Sequence, residues 1–168
     1  MRNDRTQKLV WAGLFMALTT VATMVIRVPV GTGYCNVGDA LVILSAFLLG
    51  PAWGALAAGL GSALADLLSG FVIYAPATLI IKGLMALAAG AILISSKKKN
   101  DLQAAILASI VAEVIMVAGY YAYELIIYGL AGAIVDVIPN CIQGAINADA
   151  GTILFYALLR IPYVKKTF

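Results

Sequence analysis

Between Asn36 and Lys82 the chain packs two apolar segments, a Gly50-Pro51 turn, a run of small residues at helical spacing, two acids and one lysine into 47 residues. The stretch is apolar enough to lie in lipid, yet it carries ionisable groups that lipid makes costly, and such groups mark a functional site inside the membrane. The rest of the chain agrees. Hydrophobic residues make up 63% of the 168 and charged residues 11%, far below the ~25% charged content of soluble domains. The fold class expected is an all-α integral membrane protein, one bundle over residues 1–168 with no length left for a soluble domain.

Six apolar segments are readable, at 8–26, 40–49, 52–69, 77–95, 102–128 and 137–160. The basic residues sit at segment ends: Arg2, Arg5 and Lys8 before the first, Lys97, Lys98 and Lys99 between the fourth and fifth, and Arg160, Lys165 and Lys166 after the last. They form no aromatic-interleaved patch, which argues against nucleic acid. The positive-inside rule places all three clusters, and with them both termini, in the cytoplasm, which a six-transmembrane-helix bundle satisfies. The second segment is the weak point, because about ten residues cover only ~15 Å of a ~30 Å core. Residues 39–69 therefore read either as two crossings or as a re-entrant hairpin of the same parity. The basic start before an apolar run reads as an uncleaved first helix rather than a signal peptide.

Histidine is absent, so histidine-ligated metals and histidine acid/base chemistry are excluded, and no cofactor is expected. No GxxxxGK[ST] loop occurs, so ATP use would fall to a partner. Cys35 and Cys141 both fall on the expected outer side, paired or free. In the third segment Ala55, Gly59 and Ala63 recur every four residues; Gly13 and Ala17 form a looser pair in the first. Such surfaces serve either packing within a bundle or docking of another membrane protein.

Polar residues gather at one depth. Asp39, Asp66, Lys82, Tyr120, Glu124, Asn140, Gln143 and Asn147 all fall in the expected outer half. Asn140, Gln143 and Asn147 share one face of the sixth segment; Glu113, Tyr120 and Glu124 share one of the fifth; Thr78 and Lys82 are four apart on the fourth. These faces are expected to line a pocket open to the outside. Each also has a plainer reading: Lys82 neutralising Glu113 or Asp66, Glu124 and Asp136 solvated near a loop, the amides as interhelical glue, and Tyr34, Tyr74, Tyr120, Tyr121, Tyr123 and Tyr128 as an interfacial belt. An intramembrane acid pair of Asp66 and Asp149, or an assembly subunit without a ligand, are the rival classes.

The residues Asn36-Val37-Gly38-Asp39-Ala40, the run LLGPAWGALAAGLGSALADLLSG, Tyr74-Ala75-Pro76-Ala77-Thr78 and Ile81-Lys82-Gly83 resemble S components, the substrate-binding subunits of energy-coupling factor (ECF) vitamin transporters. The resemblance spans essentially the whole chain and points to the riboflavin-type group, which includes proteins assigned to hydroxymethylpyrimidine and pyridoxine. It implies a six-helix bundle holding a vitamin near the outer face and docked on a transmembrane T component driven by two ABC ATPase subunits. It also implies that the first outer loop, the fourth to sixth helices and their outer connections hold the substrate. The side chains expected there are Tyr34, Asn36, Asp39, Tyr74, Thr78, Lys82, Glu113, Tyr120, Glu124, Asn140, Gln143 and Asn147. Gly13, Ala17, Ala55, Gly59 and Ala63 are expected to dock the T component. Hydroxymethylpyrimidine or pyridoxine is the first expectation for substrate, with riboflavin or thiamine second.

Overall fold

A computed structural model describes residues 4–96 and 101–167. Arg2, Lys97, Lys98 and Lys99, and the side chains of Lys165 and Lys166, lie outside the described residues. Helix α1 (Asp4–Val25) leads into a β-hairpin of β1 (Arg27–Val30) and β2 (Gly33–Asn36); α2 (Gly38–Leu49), α3 (Pro51–Ser69), α4 (Ala75–Ser95), α5 (Leu102–Leu159) and a short α6 (Pro162–Thr167) follow.

The hairpin corrects the all-helical expectation. Its antiparallel register pairs Arg27 with Asn36 and Val30 with Gly33. The turn needs Gly31, whose φ of 54° is left-handed and whose Cβ, if it had one, would lie 1.6 Å from Asp136 Oδ1.

The short second segment is the centre of the molecule. Every residue of α2 except Leu41 is buried, and α1, α3, α4 and α5 all pack against it. At 12 residues it rises only ~18 Å. A helix surrounded by protein needs no polar face, which is why α2 is apolar apart from Asp39 and Ser45, both buried. Gly50, at φ 81°, turns the chain into α3, with Pro51 in the first turn where its missing N–H costs nothing. Among the described residues four helices, α1, α3, α4 and α5, are long and apolar enough to cross a membrane.

The small residues of α3 are spent inside the bundle. A Cβ on Gly54 would lie 2.6 Å from Ala46 Cα in α2, one on Gly61 2.6 Å from the Met16 carbonyl in α1, and one on Gly59 2.7 Å from the Leu79 carbonyl in α4. Three faces of one helix are thus held at backbone contact with three neighbours.

The span α5 holds the fifth and sixth segments as two helical arms joined at the non-helical Gly129 (φ 73°, ψ −177°), where the chain reverses. Its arms, 102–128 and 130–159, run antiparallel: Ser109 Oγ meets Thr152 Oγ1 at 2.9 Å, and Gly144 faces Glu113. Because glycine reaches that conformation without strain, helix resumes at 130, seven residues earlier than the sequence suggests. Pro139 then falls inside a helix instead of near its start. Large apolar side chains such as Leu9, Val21, Leu68, Ile80, Ile126 and Ile153 remain exposed on the outside of the bundle, the surface expected of a protein solvated by lipid.

Candidate functional site

Roofed by the β-hairpin, a cavity of about 40 Å³ lies between α3, α4 and both arms of α5. Nine of the twelve expected side chains line it: Tyr34, Asn36, Tyr74, Thr78, Lys82, Tyr120, Glu124, Asn140 and Gln143.

Two more sit directly behind the lining. Asp39, 1% exposed, receives Lys82 Nζ at 2.5 Å on one oxygen and Gln143 Nε2 at 2.6 Å on the other. Lys82 therefore pairs with Asp39, and neither Glu113 nor Asp66 is its ion-pair partner. Lys82 also stands 5.2 Å from the Tyr120 ring centre. Asn147 does what the N-cap of α2 would otherwise do. Val37, at that position, has no capping side chain, and Asn147 Oδ1 accepts the Ala40 N–H from across the bundle at 3.0 Å. Its Nδ2 donates to the carbonyls of Asn36 and Gln143, both at 2.9 Å. Gln143 Oε1 accepts the Asn36 N–H at 2.8 Å. Hence the amide face of the last arm ties the hairpin and the start of α2 to the ion pair.

The twelfth, Glu113, is placed elsewhere. It lines an apolar lateral groove between the arms of α5 with Val117, Tyr121, Cys141 and Ala148, and neither carboxyl oxygen has a hydrogen-bond partner among the described residues. Its helical phase relative to Tyr120 and Glu124 carried it to the candidate face, but the close approach at Gly144 turns it toward the neighbouring arm.

Two carboxyls the sequence left near solvent are buried: Glu124 is 3% exposed and Asp136 4%. The hairpin covers them. Thr32 donates its N–H to Asp136 Oδ2 at 3.0 Å and its hydroxyl to the same carboxylate, and Thr32 Oγ1 lies 2.8 Å from Tyr74 OH. Tyr74 in turn reaches Glu124 Oε1 at 3.4 Å. Cys35 Sγ donates to the Pro139 carbonyl, and Cys35 and Cys141 are both free thiols. Burial pushes the Cys35 thiol up from its ordinary range. Tyr34 OH donates to Asp66 Oδ1 at 2.5 Å, and burial together with that acid holds the phenol well above its ordinary range, so it stays a donor.

The tyrosines divide. Tyr34, Tyr74 and Tyr120 are part of the lining; Tyr34 meets Phe71 at 4.7 Å between ring centres, Phe71 meets Tyr74 at 6.4 Å, and Tyr74 meets Tyr120 at 6.4 Å. Tyr123 is used to hold the Ile73 carbonyl, and Tyr121 faces the lateral groove. Phe71 and Thr32 fall in the outer connections that the resemblance implies, 70–76 and 28–38, without being singled out there, and the strand form of the roof is not among the expectations. The run Arg27-Val28-Pro29-Val30-Gly31-Thr32-Gly33-Tyr34 carries the signal that finds the roof, two short runs around a Gly-containing turn. Asp149 is exposed and outside the lining, so it makes no acid pair with Asp66 there.

Of the small residues expected to dock a partner, Gly59 is buried against α4, and Ala55 and Ala63 are half-buried beside it. Gly13 and Ala17 are exposed, with open space beyond Gly13.

Three comparisons bear on this geometry. A solved structure described as "Structure and mechanism of the S component of a bacterial ECF transporter" superimposes with a TM-score of 0.72 over 93% of this chain and 97% of that one, at 21% identity, a likeness of fold. A protein of Pyrococcus woesei described as "Uncharacterized protein in gap 3'region" is 35% identical over 141 residues, 83% of this chain and 93% of the relative. The profile of the family described as "ECF-type riboflavin transporter, S component" matches residues 3–160. The chain belongs to that family of membrane-embedded ECF transporter S components, transport subunits that bind vitamin-type substrates and are not enzymes.

Proposed function

We propose that this S component captures a small single-ring vitamin or vitamin precursor in the cavity under the hairpin, with hydroxymethylpyrimidine or pyridoxine the best-fitting substrates. The observation that carries the reading is the cavity's construction. Aromatic rings share the lining with polar groups, among them Lys82, which is fixed by Asp39, itself held by Gln143. Such mixed lining, apolar faces with a few placed polar groups, is how proteins orient small rings. Its size supports a small ligand. About 40 Å³ is room for a few waters at ~10–15 Å³ each; a single ring needs a modest retreat of the hairpin, whereas a flavin with its ribityl chain needs far more. Riboflavin and thiamine rank second.

The roof suits capture from the side on which the hairpin lies. Breaking the Thr32–Asp136 contacts would open the cavity, and remaking them would enclose the ligand. Transport would follow from docking on a T component energised by two ABC ATPases, with the exposed Gly13 and Ala17 stripe of α1 at the contact, in the plasma membrane of a bacterium or archaeon. Mass spectrometry of small molecules released from the purified, denatured protein, followed by calorimetric titration of the compound found, tests the reading. A retained pyrimidine or pyridine vitamin supports it. No bound compound and no binding across a vitamin panel refutes it and favours a subunit that assembles without a ligand.

A further inference from the structure

We infer that the ligand of this cavity carries or acquires positive charge on a ring nitrogen or amino group, and that Asp66 and Glu124 receive it. This rests on the reading that the cavity binds a vitamin and adds the charge of the substrate.

The first argument is the arrangement of the two carboxyls. Asp66 is 4% and Glu124 3% exposed. Each is pinned through one oxygen by a tyrosine of the lining: Tyr34 OH on Asp66 Oδ1 and Tyr74 OH on Glu124 Oε1. The other oxygen of each, Asp66 Oδ2 and Glu124 Oε2, is buried and accepts no hydrogen bond from the described residues. A buried carboxyl oxygen without a donor is costly, so two of them in the wall of one cavity are places for donors that come from outside the chain.

Charge gives the second argument. The lining contains three acids, Asp66, Glu124 and Asp136, against one lysine, and Lys82 is already matched by Asp39 behind it. Asp136 and Glu124 line the same small space, so a cation that enters it meets more than one carboxyl. A third, independent feature is the ring set. Tyr34, Phe71 and Tyr74 line the same space, and aromatic rings can attract cations through their faces. A neutral ring edged with carbonyl oxygens would meet Asp66 and Glu124 acceptor to acceptor. An aminopyrimidine would meet them donor to acceptor, and a thiazolium, whose quaternary nitrogen has no N–H, would meet them through its charge.

The test is calorimetric titration of the detergent-purified protein with four probes: 4-amino-5-hydroxymethyl-2-methylpyrimidine, its 4-oxo analogue, thiamine and riboflavin. The expected result is that the amino compound or thiamine binds at least tenfold more tightly than both the oxo analogue and riboflavin. That ratio should collapse toward one in Asp66→Asn and in Glu124→Gln, each checked by thermal unfolding. The ratio in the unsubstituted protein stands even where a variant does not fold. Tightest binding of riboflavin or of the oxo analogue overturns the inference and leaves the vitamin-binding reading intact. Binding of none of the four overturns the inference as well; the vitamin-binding reading falls with it only when the mass spectrometry also finds no retained vitamin.

Discussion

Replacing Lys82 by Met should be the most damaging single change at the polar centre, and replacing Asp39 at the same time should undo much of the damage. Lys82 and Asp39 are 3% and 1% exposed and 2.5 Å apart. Removing the lysine leaves Asp39 buried with Gln143 as its one remaining side-chain donor. Breaking a buried ion pair from one side costs about 3–5 kcal/mol, because the surviving charge keeps its desolvation cost without its partner. At about 2–4 °C per kcal/mol for a chain of this size, the melting temperature should fall by roughly 6–20 °C. Asp39→Asn alone should be comparably harmful, since it strands the ammonium. The double variant Lys82→Met/Asp39→Asn removes both charges while keeping an amide that Gln143 can bond, so the two costs should be strongly non-additive, with a coupling of at least ~2 kcal/mol. Thermal unfolding of all four proteins in one detergent measures this cycle. Additive costs, or a Lys82→Met shift of about 2 °C or less, would show that the pair does not hold the centre together.

Four further outcomes follow from particular contacts. Asp136→Asn weakens the acceptor that holds the Thr32 N–H and hydroxyl; ligand dissociation in stopped-flow fluorescence should accelerate by about tenfold, as expected for losing ~1.5 kcal/mol from charge-assisted bonds. Gly38→Ala places a Cβ 2.0 Å from Thr23 Oγ1 and should lower stability by about 1–3 kcal/mol in unfolding experiments. Glu113→Leu replaces a buried carboxyl that has no hydrogen-bond partner among the described residues and should raise the melting temperature, by about 1–3 kcal/mol in stability, with ligand affinity unchanged in calorimetry. Gly13→Leu meets open space whereas Gly59→Leu meets the Leu79 carbonyl; the first should spare folding and block co-purification with a T component, and the second should unfold the bundle itself.

Periodicity exposed the helices because lipid and protein interior both demand apolar side chains, and the boundaries of α3 and α4 follow from Gly-Pro and Pro signals at their starts and from Gly70 at the end of α3. What periodicity lacks is distance. Nothing in residues 40–49 says that the segment is short because it sits in the middle of the bundle, and nothing in 129–136 says that a single left-handed glycine lets helix resume at once. The Gly59 stripe shows the same gap. Its spacing is that of a docking surface, and the same spacing serves a helix pressed against α4; Gly59 itself lies against the Leu79 carbonyl, while Ala55 and Ala63 are half-buried.

For the site, sequence revealed which faces were polar and not which groups paired. Eleven of the twelve expected side chains do meet, in the lining or directly behind it, because a polar residue in a lipid-facing segment must turn inward to be satisfied. Partners are a matter of tertiary depth. Lys82 has an acid on each neighbouring segment, Asp66 and Glu113, yet it takes Asp39, since the first turn of α2 lies at the centre and Gln143 completes that carboxylate. The consequence reaches the ligand. With Lys82 committed to Asp39, Asp66, Glu124 and Asp136 have no other cation among the described lining residues, the gap that the proposed donor-bearing ligand would fill.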